Sequence, residues 1–125
     1  MLARSLTAQN FDDVVGTGIV LVDWWAAWCG PCRAFAPIFE AAAARHSDVT
    51  FAKIDTDAEA ALAGAFQIRS IPTLMAFRDG ILVFSQPGML PAAALDTLVA
   101  KLRELDMDEV RRKVAAAEAR HAAAS

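Results

Sequence analysis

The run Ile19-Val20-Leu21-Val22-Asp23-Trp24 constrains the fold more than any other segment, because every residue in it except Asp23 is apolar. A strand with one face in water alternates apolar with polar side chains. An unbroken apolar run needs cover on both faces. Helices must therefore lie on each side of a sheet that contains this strand, which is an α/β layer arrangement. The chain can supply such layers: it has 125 residues, 56% hydrophobic and 22% charged, enough for one compact domain with its own core.

The segments around this strand carry helix and strand patterns in turn. Residues 8–15 predict a short helix capped by Thr7, with Phe11, Val14 and Val15 on its apolar face. Residues 31–45 predict a longer one. Pro31 suits its first turn, Phe35, Ile38, Phe39 and Ala42 form its stripe, and Pro37 inside it predicts a bend. Residues 49–54 read as a second strand and residues 58–64 as a helix anchored by Leu62 and Phe66. The pattern then changes. Thr73–Phe77 and Ile81–Ser85, joined by Arg78-Asp79-Gly80, predict an antiparallel hairpin. Pro91 opens a last core helix with Leu95, Leu98, Val99 and Leu102 on one face. A mixed sheet flanked by helices follows.

The end of the chain differs in composition. Residues 103–125 hold seven alanines, five acids and five bases, so the net charge of -3 resides in the body. Asp106 followed by Glu109 resembles a capping box, and Asp108–Arg112 and Glu109–Lys113 are spaced for helical ion pairs. Val110, Val114, Ala117 and His121 give only a thin apolar stripe. The division expected is a domain over residues 1–104 and an alanine-rich, charged helical extension over residues 105–125, docking weakly or projecting into solvent.

Charge and hydropathy exclude several classes of function. The longest basic run, Arg111–Lys113, has Asp108 and Glu109 just before it and makes no nucleic-acid footprint. No window approaches a membrane span. The N-terminus, Met1-Leu2-Ala3-Arg4-Ser5, lacks an apolar signal region, so a cytoplasmic location is the expectation.

The chemistry concentrates in Trp28-Cys29-Gly30-Pro31-Cys32-Arg33, which contains both cysteines of the chain. Two intervening residues allow an internal disulfide. The same spacing serves structural zinc, but zinc normally takes four ligands, and the chain offers only His46 and His121 besides, far apart in sequence. A pair between an apolar strand and a helix start is the setting of a redox motif. Unpaired amides and the dipole at the helix start stabilise a thiolate, the attacking species in disulfide exchange. Cys29, nearer the loop, is the expected nucleophile. Cys32, one turn further in, is the expected resolving thiol, with Gly30 and Pro31 fixing the loop between them.

Three further features surround this pair. Asp23 is a carboxylate in an apolar strand, costly to bury unless paired or protonated. It is either a strand-end residue bonded to backbone or water, or a proton acceptor and donor for Cys32, with Lys53 as a charge partner on a neighbouring strand. Ile71-Pro72-Thr73 puts a proline just before an apolar run, implying an edge or loop position. It is either a plain strand-start proline or one that frees the Ile71 backbone to pair with an extended peptide. All three tryptophans, Trp24, Trp25 and Trp28, fall within five residues. Trp24 and Trp25 are read as packing and Trp28 as a shield beside Cys29, with Gly88 and Met89 as a further apolar rim.

Taken in order, Val22-Asp23-Trp24-Trp25-Ala26, Trp28-Cys29-Gly30-Pro31-Cys32, Ile71-Pro72-Thr73 and the Asp79-Gly80 turn resemble the thioredoxin family over residues 5–102. The resemblance implies a thioredoxin fold with a central mixed sheet of four or five strands and helices on both faces. It implies a protein-disulfide reductase in which Cys29 attacks and Cys32 resolves. It assigns the family's buried aspartate to Asp23, its lysine to Lys53, its cis-proline to Pro72, and its rim glycine to Gly88. It also implies protein disulfides as substrates, regeneration by thioredoxin reductase, and a monomer. No nucleotide fingerprint is visible, so no cofactor or metal is expected in this chain. The alternatives are a disulfide oxidase or isomerase of the same fold, or a thioredoxin-like binding subunit. Departures from the family pattern are Arg33 in place of the usual lysine, Trp24 for phenylalanine, Ala27 for a charged residue, and Ser70 for glycine.

Overall fold

The computed structural model describes residues 2–124; Met1 and Ser125, the last residue of the expected extension, lie outside the described residues. The elements run β1 (Arg4–Ser5), α1 (Phe11–Val15), β2 (Ile19–Trp25), α2 (Gly30–Arg45), β3 (Thr50–Asp55), α3 (Ala60–Ala65), β4 (Thr73–Arg78), β5 (Ile81–Pro87), α4 (Ala92–Glu104) and α5 (Met107–Ala124). The five strands form one sheet in the order β1-β3-β2-β4-β5. β1, β3 and β2 are parallel, while β4 is antiparallel to both β2 and β5. β2 is therefore the central strand, as its unbroken apolar run requires.

Side-chain alternation along β2 divides the core in two. Val20, Val22 and Trp24 face α1 and α3, where they meet Phe11, Val15, Ala63 and Phe77. Leu21 faces α2 and α4 with Phe35, Phe39, Phe51, Leu95 and Val99. Phe39 joins the two helical aromatics to the sheet, with ring centroids 5.7 Å from Phe35 and 5.0 Å from Phe51. Asp23 shares the parity of Leu21, so it too points toward the α2 side.

The far end of α2 is tied to α4 by polar contacts. Arg45 Nη2 and His46 Nε2 lie 3.0 and 2.7 Å from the Asp96 carboxylate, and Arg103 donates to both oxygens of Asp48 at 2.7 and 2.9 Å. The His46 hydrogen bond, then that of Arg45, holds the Asp96 carboxyl below its ordinary range. Pro37 lies inside α2, and the helix runs through it without a break.

Several local expectations are corrected. The first helix begins at Phe11 rather than residue 8: residues 8–10 form a turn, in which the Thr7 hydroxyl accepts from the Gln9 amide at 3.3 Å and Asn10 Oδ1 accepts from the Thr7 amide at 2.7 Å. β1 is absent from the sequence pattern, since Arg4-Ser5 has no strand signature and is held by pairing with Ala52 and Lys53. Leu62 within α3 and Phe66 at its end do pack on the core as anchors, half-buried, with Phe66 against Phe11, Trp24 and Phe77, but the buried residue of the helix is Ala63. Of the edge or loop position expected for Pro72, the loop holds: the proline stands just outside the first residue of β4, which is internal to the sheet.

The final helix docks by its first turns. Asp106 Oδ1 accepts from the Asp108 and Glu109 amides, but Glu109 pairs with Lys113 at 3.3 Å. Asp108 pairs with Arg111 rather than Arg112. Leu105 packs on the α4 side of the core, Met107 is buried, and Val110 and Val114 border a groove against Ile81, Leu82 and Val83 of β5. Beyond Val114 the helix is exposed.

Candidate functional site

The parallel strands β2 and β3 end, and the antiparallel β4 begins, at one border of the sheet, and the redox-motif residues collect there. Cys29 is the N-cap of α2, in extended conformation (φ -86°, ψ 113°), and its Sγ accepts from the Cys32 amide at 3.2 Å. Helix starts leave amides without partners, and this one directs such an amide at sulfur. The pair is joined as a disulfide with a Cα–Cα distance of 5.2 Å. Both sulfur-bearing residues are buried, packed with Ala26 and against Trp25 and Ile71. Gly30 and Pro31 occupy the first two helical positions, and both are exposed.

Ile71 and Pro72 close one side. The peptide between them is cis. The Ile71 carbonyl oxygen lies 3.7 Å from Cys29 Sγ, and the Pro72 carbonyl accepts from the Gly88 amide at 2.8 Å. Gly88 has φ 92°, a conformation glycine adopts without strain. Met89, next to it, is exposed, as is Trp28 at 68%. Trp28 borders a shallow pocket of about 180 Å³ with Thr56, Ile68, Arg69, Ser70 and Ile71. Its Nε1 donates to Asp57 Oδ2 at 2.9 Å.

Beneath the sulfurs, Asp23 and Lys53 are register partners on β2 and β3. Asp23 is only 4% exposed, and its Oδ1 is buried with no hydrogen-bond partner among the described residues. Burial pushes its carboxyl from the ordinary 3.8 up to about 7, against the opposing pull of Lys53. The Lys53 ammonium also lies 5.4 Å from the centre of the Trp25 ring. Asp23, Trp25, Cys32, Arg33, Ala36 and Lys53 line a cavity of about 100 Å³. That volume admits water, and the polar walls can hold it. A carboxyl titrating near neutrality, across such a cavity from Cys32, can take up or release a proton at working pH.

The structure thus brings Cys29, Cys32, Asp23, Lys53, Trp28, Gly30, Pro31, Ile71, Pro72, Gly88 and Met89 to one end of the molecule. Sequence reasoning missed Asp57 as the anchor of Trp28. Its only signal is position, since Trp28 and Asp57 each follow the C-terminal end of adjacent parallel strands, where α/β sheets gather functional loops. Among the described residues, no group of three or more His, Cys, Asp and Glu side chains could hold a metal ion. No helix among them is long and apolar enough to cross a membrane.

The thioredoxin family profile matches residues 3–116, most of the chain and part of α5. The chain belongs to the thioredoxin family. It is 53% identical over 111 residues to a protein of Streptomyces coelicolor named for thioredoxin 2, covering 88% of this chain and 83% of that one. It is 39% identical over 100 residues to the thioredoxin of Chlamydia pneumoniae, covering 80% and 98%. Among solved structures, a mutant thioredoxin from Halobacterium salinarum superposes with a TM-score of 0.76 at 37% identity, over 82% of this chain and 92% of that one. The chain is a thiol–disulfide oxidoreductase acting through the Cys29–Cys32 pair, with protein-disulfide reductase and electron-carrier activity. Its partners are of the redox class, disulfide substrates and a reductase. Its sheet has the five-stranded mixed form with helices on both faces.

Proposed function

We propose that Cys29 is the attacking thiolate and Cys32 the resolving thiol in the reduction of protein disulfides, with Asp23 carrying the proton for Cys32. The observation that carries this assignment is the N-cap position of Cys29, whose sulfur faces the Cys32 amide at 3.2 Å. A thiolate there gains a charge-assisted hydrogen bond as well as the helix dipole. In the first step the Cys29 thiolate attacks one sulfur of the substrate disulfide. A mixed disulfide forms, and the other substrate sulfur leaves as a thiolate. In the second, Cys32 gives its proton to the Asp23 carboxylate and attacks Cys29 sulfur. The Cys29–Cys32 disulfide forms, the second substrate thiolate leaves, and the substrate has gained two electrons. Holding both sulfurs on one helical turn makes this second attack intramolecular.

Lys53 keeps a fraction of Asp23 ionised by opposing its desolvation. Ile71, with its carbonyl beside Cys29 and its peptide held by Pro72, is read as the edge that pairs with substrate backbone. Trp28, Gly30, Pro31, Gly88 and Met89 form the surrounding contact rim. Thioredoxin reductase, drawing on a nicotinamide cofactor, restores the dithiol. The setting is cytoplasmic, and residues 1–104 act as a monomeric redox domain to which residues 105–125 are an addition.

The test uses insulin as the disulfide substrate and thioredoxin reductase as the electron source. Cys29→Ser is expected to abolish insulin reduction, and Cys32→Ser to accumulate a covalent insulin adduct through Cys29. An adduct that forms through Cys32 in the Cys29→Ser protein would reverse the roles.

A further inference from the structure

Arg33 follows Cys32 directly, and its exposed side chain reaches back across the active-site loop. Its Nη1 donates to the Ala27 carbonyl at 2.9 Å, while its own amide donates to the Cys29 carbonyl at 3.2 Å. Arg33 also lines the cavity of about 100 Å³ that Asp23, Cys32 and Lys53 share. Ala36 is a further lining residue. We propose that Arg33 is a positioning residue that straps the mouth of this cavity and limits how much water reaches Asp23.

The geometry supplies the reason. An arginine stem left free swings into solvent, but one fixed at its far end lies across the apolar surface beneath it. The Ala27 carbonyl fixes this one. A lysine ammonium, a compact and strongly hydrated point charge, makes a poorer strap than a planar fork of five donors. The charged and titratable groups facing Asp23 are Lys53 from β3 and, from α2, Arg33 and the reduced Cys32 thiol. Glu40, also on α2, acts on this set through its own attraction to Lys53.

A strap and a mere nearby charge have opposite signatures. As a charge, Arg33 favours the carboxylate, so removing it raises the Asp23 titration midpoint. As a strap, its removal admits water, relieves desolvation and lowers that midpoint.

The inference rests on Asp23 as the proton carrier, but it is read on Asp23 itself. In oxidised wild type and Arg33→Ala, the Asp23 side-chain carboxyl is titrated by carbon-13 NMR. The pH profile of insulin reduction is measured in parallel. The expected result is a midpoint lowered by about one pH unit in Arg33→Ala, with the activity profile moving the same way. A lowered midpoint with an unmoved activity profile supports the strap and removes Asp23 from the reaction. A midpoint that stays or rises overturns the strap, whatever the activity does.

Discussion

Asp23 makes folding depend on pH in a way that can be calculated. Its carboxyl titrates near 3.8 when unburied and at about 7 in the fold. The folded pKa is the higher, so the folded state binds this proton more tightly. The associated stability is complete below about pH 3.8 and is lost as pH rises through about 7. At 1.36 kcal/mol per pH unit, a gap of about three units makes the ionised carboxylate cost about 4 kcal/mol. Asp23→Asn removes this titration while keeping the shape of the side chain. Whatever the buried amide costs by itself does not vary with pH, so the difference between the two proteins isolates the carboxyl. Relative to Asp23→Asn, the oxidised wild type should lose about 2 kcal/mol by about pH 5 and about 4 kcal/mol by about pH 8. Urea unfolding followed by far-ultraviolet circular dichroism, repeated across that range, measures it. A difference constant to within about 1 kcal/mol from acid to alkaline pH would refute the desolvation argument.

Three further outcomes concern packing and backbone. Trp24 is fully buried, and its indole N–H has no partner among the described residues. Trp24→Phe sheds a group costing about 1–3 kcal/mol while giving up apolar contact of similar worth, so unfolding stability should change by no more than about 1 kcal/mol; a loss beyond about 3 kcal/mol would mean the N–H is satisfied. Gln67 holds φ at 54°, in the left-handed region, so Gln67→Gly should raise stability by about 0.5–1 kcal/mol, visible as a higher denaturation midpoint. Phe39→Ala empties the contact between Phe35 and Phe51 and should cost about 3–5 kcal/mol in the same assay.

How much could be read in advance depended on whether the cause was local. β2 announced itself because burial on both faces leaves an unbroken apolar run. α2 did so because a proline in its first turn precedes a helical stripe. β1 could not be read, since its two residues become a strand only by meeting Ala52 and Lys53 across the sheet. Thr7 was legible by residue type, and its hydroxyl does accept from the Gln9 amide, but the reciprocal bond from the Thr7 amide to Asn10 and the turn that delays the helix to Phe11 were not. The chemical residues were legible by type: a carboxylate in an apolar strand and two sulfurs at a helix start are conspicuous anywhere. That Lys53 stands directly opposite Asp23 needed the strand register. That Asp57 anchors Trp28 needed the sheet's border to be assembled, because 29 positions separate them. α5 was readable as a helix that either docks weakly or projects; which of the two holds needed the fold, since its contacts are made by Met107 and by a groove along β5.

The reversal of β4 has a consequence for how such a molecule can diversify. Because β4 starts where β2 and β3 stop, four short connecting stretches from distant parts of the chain share one margin of the sheet, around residues 26–28, 56–59, 69–71 and 88–89. None of them lies in the central apolar run or the facing helical aromatics, and apart from Ala26 and Ile71 none packs on the sulfurs. Substitutions at the remaining positions redraw the contour met by an incoming protein while the sulfur pair and the packed interior stay as they are. Client choice and electron chemistry can therefore drift apart, one residue at a time, on the same scaffold.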